Sequence, residues 1–203
     1  MNMMKTILFV LCAALVAFAP VKNGYQVGDT ASDFKLKNID GKMVSLADYT
    51  SAKGFIIAFD CNTCPMSKAY NDRIIALNKK YAPQGFPLIA INPNSPDLSS
   101  GDSFDEMVKY AKKKGYDFPY LYDESQATIK AFGATNTPHI FVLSKSGNEL
   151  KVVYIGAIDD NARNGEKATH RYVEEAVDAV LAGKPVEIKK TKAVGCGVKL
   201  KDV

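Results

Sequence analysis

The chain has 203 residues, 47% of them apolar and 24% charged, with a formal net charge of +4. That length and mix fit one globular domain whose core needs no disulfide staples. The weak basic excess gives no case for a nucleic-acid partner.

Residues 1–19 differ from the rest. Lys5 supplies a positive charge, and Ile7 to Ala19 is an unbroken apolar run of thirteen residues. A bilayer span needs roughly 17–25 residues, so the run fits the apolar region of a signal peptide, with Ala17-Phe18-Ala19 at the cleavage positions. Pro20 would follow the cut, where proline hinders cleavage, so an uncleaved anchor is the alternative. Cys12 falls inside the discarded run. Its loss with Lys5 leaves 25 basic against 22 acidic residues and three cysteines: Cys61, Cys64 and Cys196. An odd count argues against a disulfide scaffold and suits one redox pair with a leftover thiol.

Residues 20–32 read as an exposed lead-in. Asp33-Phe34-Lys35-Leu36, the Asp40-Gly41 turn and Met43-Val44-Ser45-Leu46 read as a hairpin. Phe55 to Phe59 is fully apolar and reads as a buried central strand. The helical spacing of Ala69, Tyr70, Ile74, Leu77 and Tyr81 predicts a helix over Met66–Tyr81, with Pro65 in its first turn. Leu88 to Ile91 reads as a second buried strand. Ser103 and Glu106 suggest a capping box for a helix whose stripe is Phe104, Met107, Val108 and Ala111, ended by Gly115. A short strand at Phe118–Tyr122 and a short helix at Ser125–Phe132, closed by Gly133, follow. His139 to Leu143 and Glu149 to Ile155 form a hairpin around Ser146-Gly147-Asn148. Lys167 to Ala182 is a last helix, stopped by Gly183 and Pro185. Alternating strands and helices followed by an antiparallel pair predict an α/β fold, a mixed sheet with helices on both faces. The lysines of residues 189–203 read as a solvated basic tail.

Cys61-Asn62-Thr63-Cys64 falls at a predicted strand-to-helix junction. An isolated thiol has a pKa near 8.5 and holds little thiolate at neutral pH. A helix N-terminus offers unpaired N–H groups and a positive dipole end, which favour the thiolate. Cys61 is expected to face solvent there as the nucleophile, with Cys64 one turn behind, more buried, as the resolving thiol. Zinc would need four ligands. Only Cys196, His139 and His170 could complete a set, and their spacing is no zinc pattern. Thr137-Pro138 enters a predicted strand, where proline removes a ladder donor. A cis bond there would expose backbone groups to a substrate strand.

These pieces resemble a thioredoxin-fold redoxin of the alkyl hydroperoxide reductase/thiol-specific antioxidant type, in the peroxiredoxin-like subgroup carrying a CxxC. The matching stretches are Gly28 to Phe34, Asp40-Gly41-Lys42, Phe59 to Pro65, Ala131 to Pro138, Gly156 to Asp160 and Gly195 to Lys199. The resemblance implies a three-layer α/β/α sandwich with a mixed sheet and an N-terminal hairpin extension, spanning residues 27–188. It implies Cys61 and Cys64 as the redox-active pair and Pro138 as the cis proline. Cys196 matches a C-terminal cysteine of the subgroup. Its bland reading is a semi-buried free thiol, and the alternative is a third redox partner. True peroxiredoxins carry a threonine three residues before the reactive cysteine, within a proline-led loop. Here Ala58 precedes Cys61 by three and the loop is missing.

His139, after Pro138, reads as a structural histidine that could also tune a thiolate. The charge of Asp60, if close, would oppose ionisation of Cys61. Cys61, Cys64, Met66 and His139 form a conceivable Cu(I) set of soft ligands. The sequence thus predicts an exported enzyme, periplasmic or secreted, held at a membrane if residues 1–19 persist. It calls for no cofactor and no resident metal. Its expected partners are client proteins with disulfides and an unidentified thiol–disulfide electron donor. A thiol peroxidase and a copper chaperone are the alternatives.

Overall fold

The computed structural model describes residues 24–201. The signal segment, Pro20 and Cys12 lie outside the described residues. Among the described residues no helix is long and apolar enough to cross a membrane.

An eight-stranded sheet runs through the molecule in the order β1-β9-β8-β4-β5-β6-β2-β3. Its strands are β1 (Thr30–Ala31), β2 (Lys35–Asn38), β3 (Met43–Ser45), β4 (Gly54–Phe59), β5 (Leu88–Asn92), β6 (Tyr120–Tyr122), β8 (His139–Ser146) and β9 (Glu149–Gly156). A separate small ribbon joins β7 (Asn136–Thr137) to β10 (Cys196–Gly197). β4, β5 and β6 are parallel; β8 runs antiparallel to β4, and β9, antiparallel to β8, returns to the direction of the centre. The sheet is mixed, as the element order demands.

β4 shows why the fold has three layers. All six of its residues are buried, so both faces are covered. Ile56 and Ala58 point to one side, against α1 (Pro65–Tyr81), α2 (Phe104–Lys114) and α4 (Tyr172–Leu181). Phe55, Ile57 and Phe59 point to the other, against α3 (Ala127–Phe132), Leu46 and Tyr25. The period of two in side-chain direction turns one apolar run into two cores. Phe59, Phe132 and Phe141 meet edge-on in the second core, with centroids 5.1 to 5.8 Å apart.

Several local expectations change. Ser103 caps α2 without a side-chain hydrogen bond, and Glu106, the other half of the expected box, turns outward to Lys109 Nζ, 2.6 Å away. Val108 and Ala69 are exposed, and Asn71 and Asn78 take buried places on α1 instead. α4 begins at Tyr172 rather than Lys167, since Asp160 accepts hydrogen bonds from the Thr169 amide and hydroxyl and holds that stretch out of the helix. The lead-in is not uniformly exposed. Tyr25 is buried against Phe132, and Thr30–Ala31 adds a strand to β9.

The largest change concerns residues 189–201, which are docked rather than solvated. The Ile155 amide donates to Lys189 O at 3.0 Å, and Thr191 N returns a bond to Ile155 O at 2.9 Å. Cys196 and Gly197 pair with Thr137 and Asn136. Lysine side chains decorate this arm, but its backbone is used.

Candidate redox site

Three elements converge on the sulfurs. β4 ends at Phe59, an irregular stretch carries Asp60 to Cys64, and α1 starts at Pro65 with Cys64 as its N-cap. The Thr137-Pro138 peptide, at the start of β8, is cis. Register places Phe59 opposite His139, which brings the end of β4 beside Thr137.

Cys64 Sγ lies 3.2 Å from Thr137 O, and Cys61 Sγ lies 3.1 Å from Thr137 Oγ1. Both sulfurs therefore flank one residue. Cys64 is joined to Cys196 in a disulfide, with Cα atoms 5.9 Å apart. Cys61 is a free thiol. Cys196 is thus not a free thiol here, and the edge at Thr137 is covered by β10 rather than open to a substrate strand.

Both cysteines of the motif are buried, where a solvent-facing Cys61 was expected. Cys61 was expected at the helix start, facing solvent; it is 1% exposed, against 3% for Cys64. The helix begins at Pro65, as its spacing predicts, and its positive end lies nearest Cys64. Burial pushes the Cys61 thiol above its ordinary pKa, and the charges of Asp102 and Asp60 push the same way; the Thr137 hydroxyl and the Cys64 amide oppose them. Cys61 is a buried sulfur whose surroundings disfavour the thiolate.

The reason is a residue that carries no signal in the sequence. Asp102 is fully buried. Its carboxylate accepts from Asn62 N at 2.8 Å, Thr63 Oγ1 at 2.7 Å, Asn94 Nδ2 at 2.9 Å and Ser99 Oγ at 2.6 Å. Asn62 is held further by Gly101 O at 2.9 Å and by the Tyr120 hydroxyl at 2.9 Å. These bonds fix Asn62 and Thr63 in the irregular stretch ahead of the helix. Ser67, 3.8 Å from Cys61 Sγ, is a second contact the reading missed. Its signal was present as spacing: Cys61, Cys64 and Ser67 recur every third residue.

Asp60 is fully enclosed, and burial pushes its pKa up to about 6 against the pull of the Ser67 hydroxyl and the Cys61 amide. Its Oδ1 has no hydrogen-bond partner among the described residues. His139 is buried too. Its Nδ1 accepts from Thr135 N at 3.3 Å, and burial with the nearby charge of Lys190 lowers its pKa to about 4. Met66 packs against the helix-side core. Among the described residues no three His, Cys, Asp or Glu side chains converge on a metal-sized point.

A mixed sheet flanked by helices, with a dithiol loop at the start of the first long helix and a cis proline facing it, is a thioredoxin fold. A model of the AhpC/TSA family matches residues 27–155, and the chain belongs to that family. It is similar to the thiol-disulfide oxidoreductase ResA of Geobacillus kaustophilus (strain HTA426), 30% identical over 164 residues that span 77% of this chain and 87% of that protein. Among solved structures, an uncharacterized conserved protein from Geobacillus kaustophilus superposes with a TM-score of 0.81 at 38% identity, covering 89% of this chain and 95% of the other. A hypothetical protein from Sinorhizobium meliloti 1021 gives 0.81 at 33% identity, covering 89% and 98%.

Proposed function

We propose that this chain is a thiol–disulfide oxidoreductase of the cell envelope that exchanges disulfides with client proteins through Cys64 and Cys61. One observation carries the reading. Cys64 stands at the N-terminus of a seventeen-residue helix, against the Thr137 carbonyl, with its sulfur already engaged in a disulfide. Helix N–H groups and the dipole favour a thiolate at such a place, and no side chain caps that end of α1.

The roles follow from position. Cys64 attacks a client disulfide; one client sulfur bonds to Cys64 and the other leaves as a thiolate. Cys61, buried and protonated until then, gives up its proton and attacks Cys64 Sγ. A Cys61–Cys64 disulfide forms and the second client sulfur leaves. Run backwards, the same steps oxidise a client dithiol. Thr137 positions both sulfurs, and the backbone beside Pro138 receives the client strand. Beside the loop lies a cleft of about 550 Å³ edged by Thr63, Lys68 and Lys113. Export to the envelope rests on the composition of residues 1–19.

The test is reduction of a disulfide-bonded model protein, insulin, with a small dithiol as electron donor. Wild type turns over and Cys64→Ser does not. Turnover that persists in Cys64→Ser sinks the reading.

A further inference from the structure

β10 sits where a client strand would dock. Cys196 and Gly197 pair antiparallel with Thr137 and Asn136, next to Pro138, while Cys196 is bonded to Cys64. In form this is an enzyme caught with its own chain as client. We propose that the C-terminal arm, residues 193–201, is a built-in third redox partner. It closes the client-docking edge when Cys64 is bonded to Cys196 and opens it when Cys64 is bonded to Cys61. The proposal rests on Cys64 as the exchanging sulfur.

The arm is fitted to this place along its length. Gly195 passes so close to Thr137 that a β-carbon on it would collide with the Thr137 carbonyl. Val198 N donates to Thr135 O at 3.2 Å, and Lys199 N donates to Asn94 Oδ1 at 2.9 Å. Gln126 is the single non-glycine residue with positive φ among the described residues. Its side-chain amide donates to Lys199 O at 2.9 Å and accepts from Lys201 N at 2.8 Å. A backbone held in a costly region by such contacts points to a purpose for them.

The switch between the two forms needs no outside reagent. Cys61, deprotonated, attacks Cys64 Sγ. The Cys61–Cys64 bond forms as the Cys64–Cys196 bond breaks, and Cys196 leaves as a thiolate that takes up one proton, matching the one Cys61 lost. The disulfide count is unchanged. While closed, the tethered arm competes at an effective concentration on the order of millimolar, which free clients do not match.

The experiment uses oxidised full-length protein. Free thiols are alkylated at acid pH, and the disulfide-linked peptides are mapped by mass spectrometry. The KM for a peptide dithiol, which the oxidised protein takes, is measured alongside with a small-molecule disulfide as the final oxidant. Wild type is expected to yield the Cys64–Cys196 pair. Gly195→Ala, which alters no sulfur, is expected to shift the population to Cys61–Cys64 and to lower KM about tenfold by removing the tethered competitor. Cys196→Ser, which places no methyl against Thr137, is expected to lower KM to the same extent. Wild type that shows only Cys61–Cys64, or two variants with unchanged KM and intact turnover, would overturn the arm's role and leave the exchange chemistry standing. Loss of turnover in Cys196→Ser together with Gly195→Ala would sink both.

Discussion

Replacing Asp60 by asparagine probes the acid buried beneath the redox loop. Asp60 is enclosed, one of its oxygens lacks a partner among the described residues, and its pKa rises from 3.8 to about 6. Between those values the native state keeps a proton that the unfolded chain has released. Stability from this group is therefore full below about pH 4 and is lost as pH rises through about 6. Roughly two pH units at 1.36 kcal/mol each correspond to about 3 kcal/mol. His139 runs the other way. Its pKa falls from 6.5 to about 4, so its contribution is full above about 6.5 and is lost as pH falls through 4. The two slopes oppose each other in one window, and these two contributions largely offset there. Asparagine keeps the shape of Asp60 but cannot ionise. Urea unfolding of the oxidised proteins, at several values from about pH 4 to about 7.5, reads the difference. Asp60→Asn is expected to match wild type near pH 4 and to exceed it by about 3 kcal/mol near pH 7.5. A difference that is constant across that range would refute the buried-acid argument. As a second readout, alkylation of Cys61 should begin at lower pH in the variant, because the Asp60 charge helps hold the thiol protonated.

The cysteine roles are open to trapping. With both candidate resolvers removed, Cys61→Ser/Cys196→Ser should accumulate client proteins bonded to Cys64, seen as high-mass bands that a reductant dissolves; Cys64→Ser should not. Accumulation on Cys61 in Cys64→Ser would restore the order read from the sequence. Asp102→Ala leaves the Asn62 amide, the Thr63 and Ser99 hydroxyls and the Asn94 amide without their acceptor. It should cost about 3–5 kcal/mol in urea unfolding, and a loss under 1 kcal/mol would show those bonds to be dispensable. Arg73→Met strips buried Asp159 of its ion pair at 2.5 Å and frees the Asn161 carbonyl from its donor. About 3 kcal/mol of destabilisation is expected, detected as a lower Tm.

What the sequence made legible was periodic. The run Phe55 to Phe59, the stripe Tyr70, Ile74, Leu77 and Tyr81, and the stop glycines Gly115 and Gly133 each declare their structure within a few residues. The cysteine pair and Thr137-Pro138 were equally visible, and the structure sets them side by side. The misreadings that bear on the site are long-range. Asp102 reaches back forty residues to seize Asn62, and nothing in the neighbourhood of either residue announces it. The arm was misjudged for a similar reason. Its lysines describe how it meets water, while its docking depends on backbone groups and on Gly195, which composition does not weigh.

Asn94 gives the site a mechanical consequence. Its amide nitrogen holds Asp102 and its amide oxygen holds Lys199 N, so one side chain spans the anchor of the sulfur-bearing loop and the end of the arm. Lifting the arm hands that oxygen to water but leaves the nitrogen in place. The moving part can detach while the scaffold under Asn62 and Thr63 stays set, as a latch swings from a hinge plate that remains screwed down.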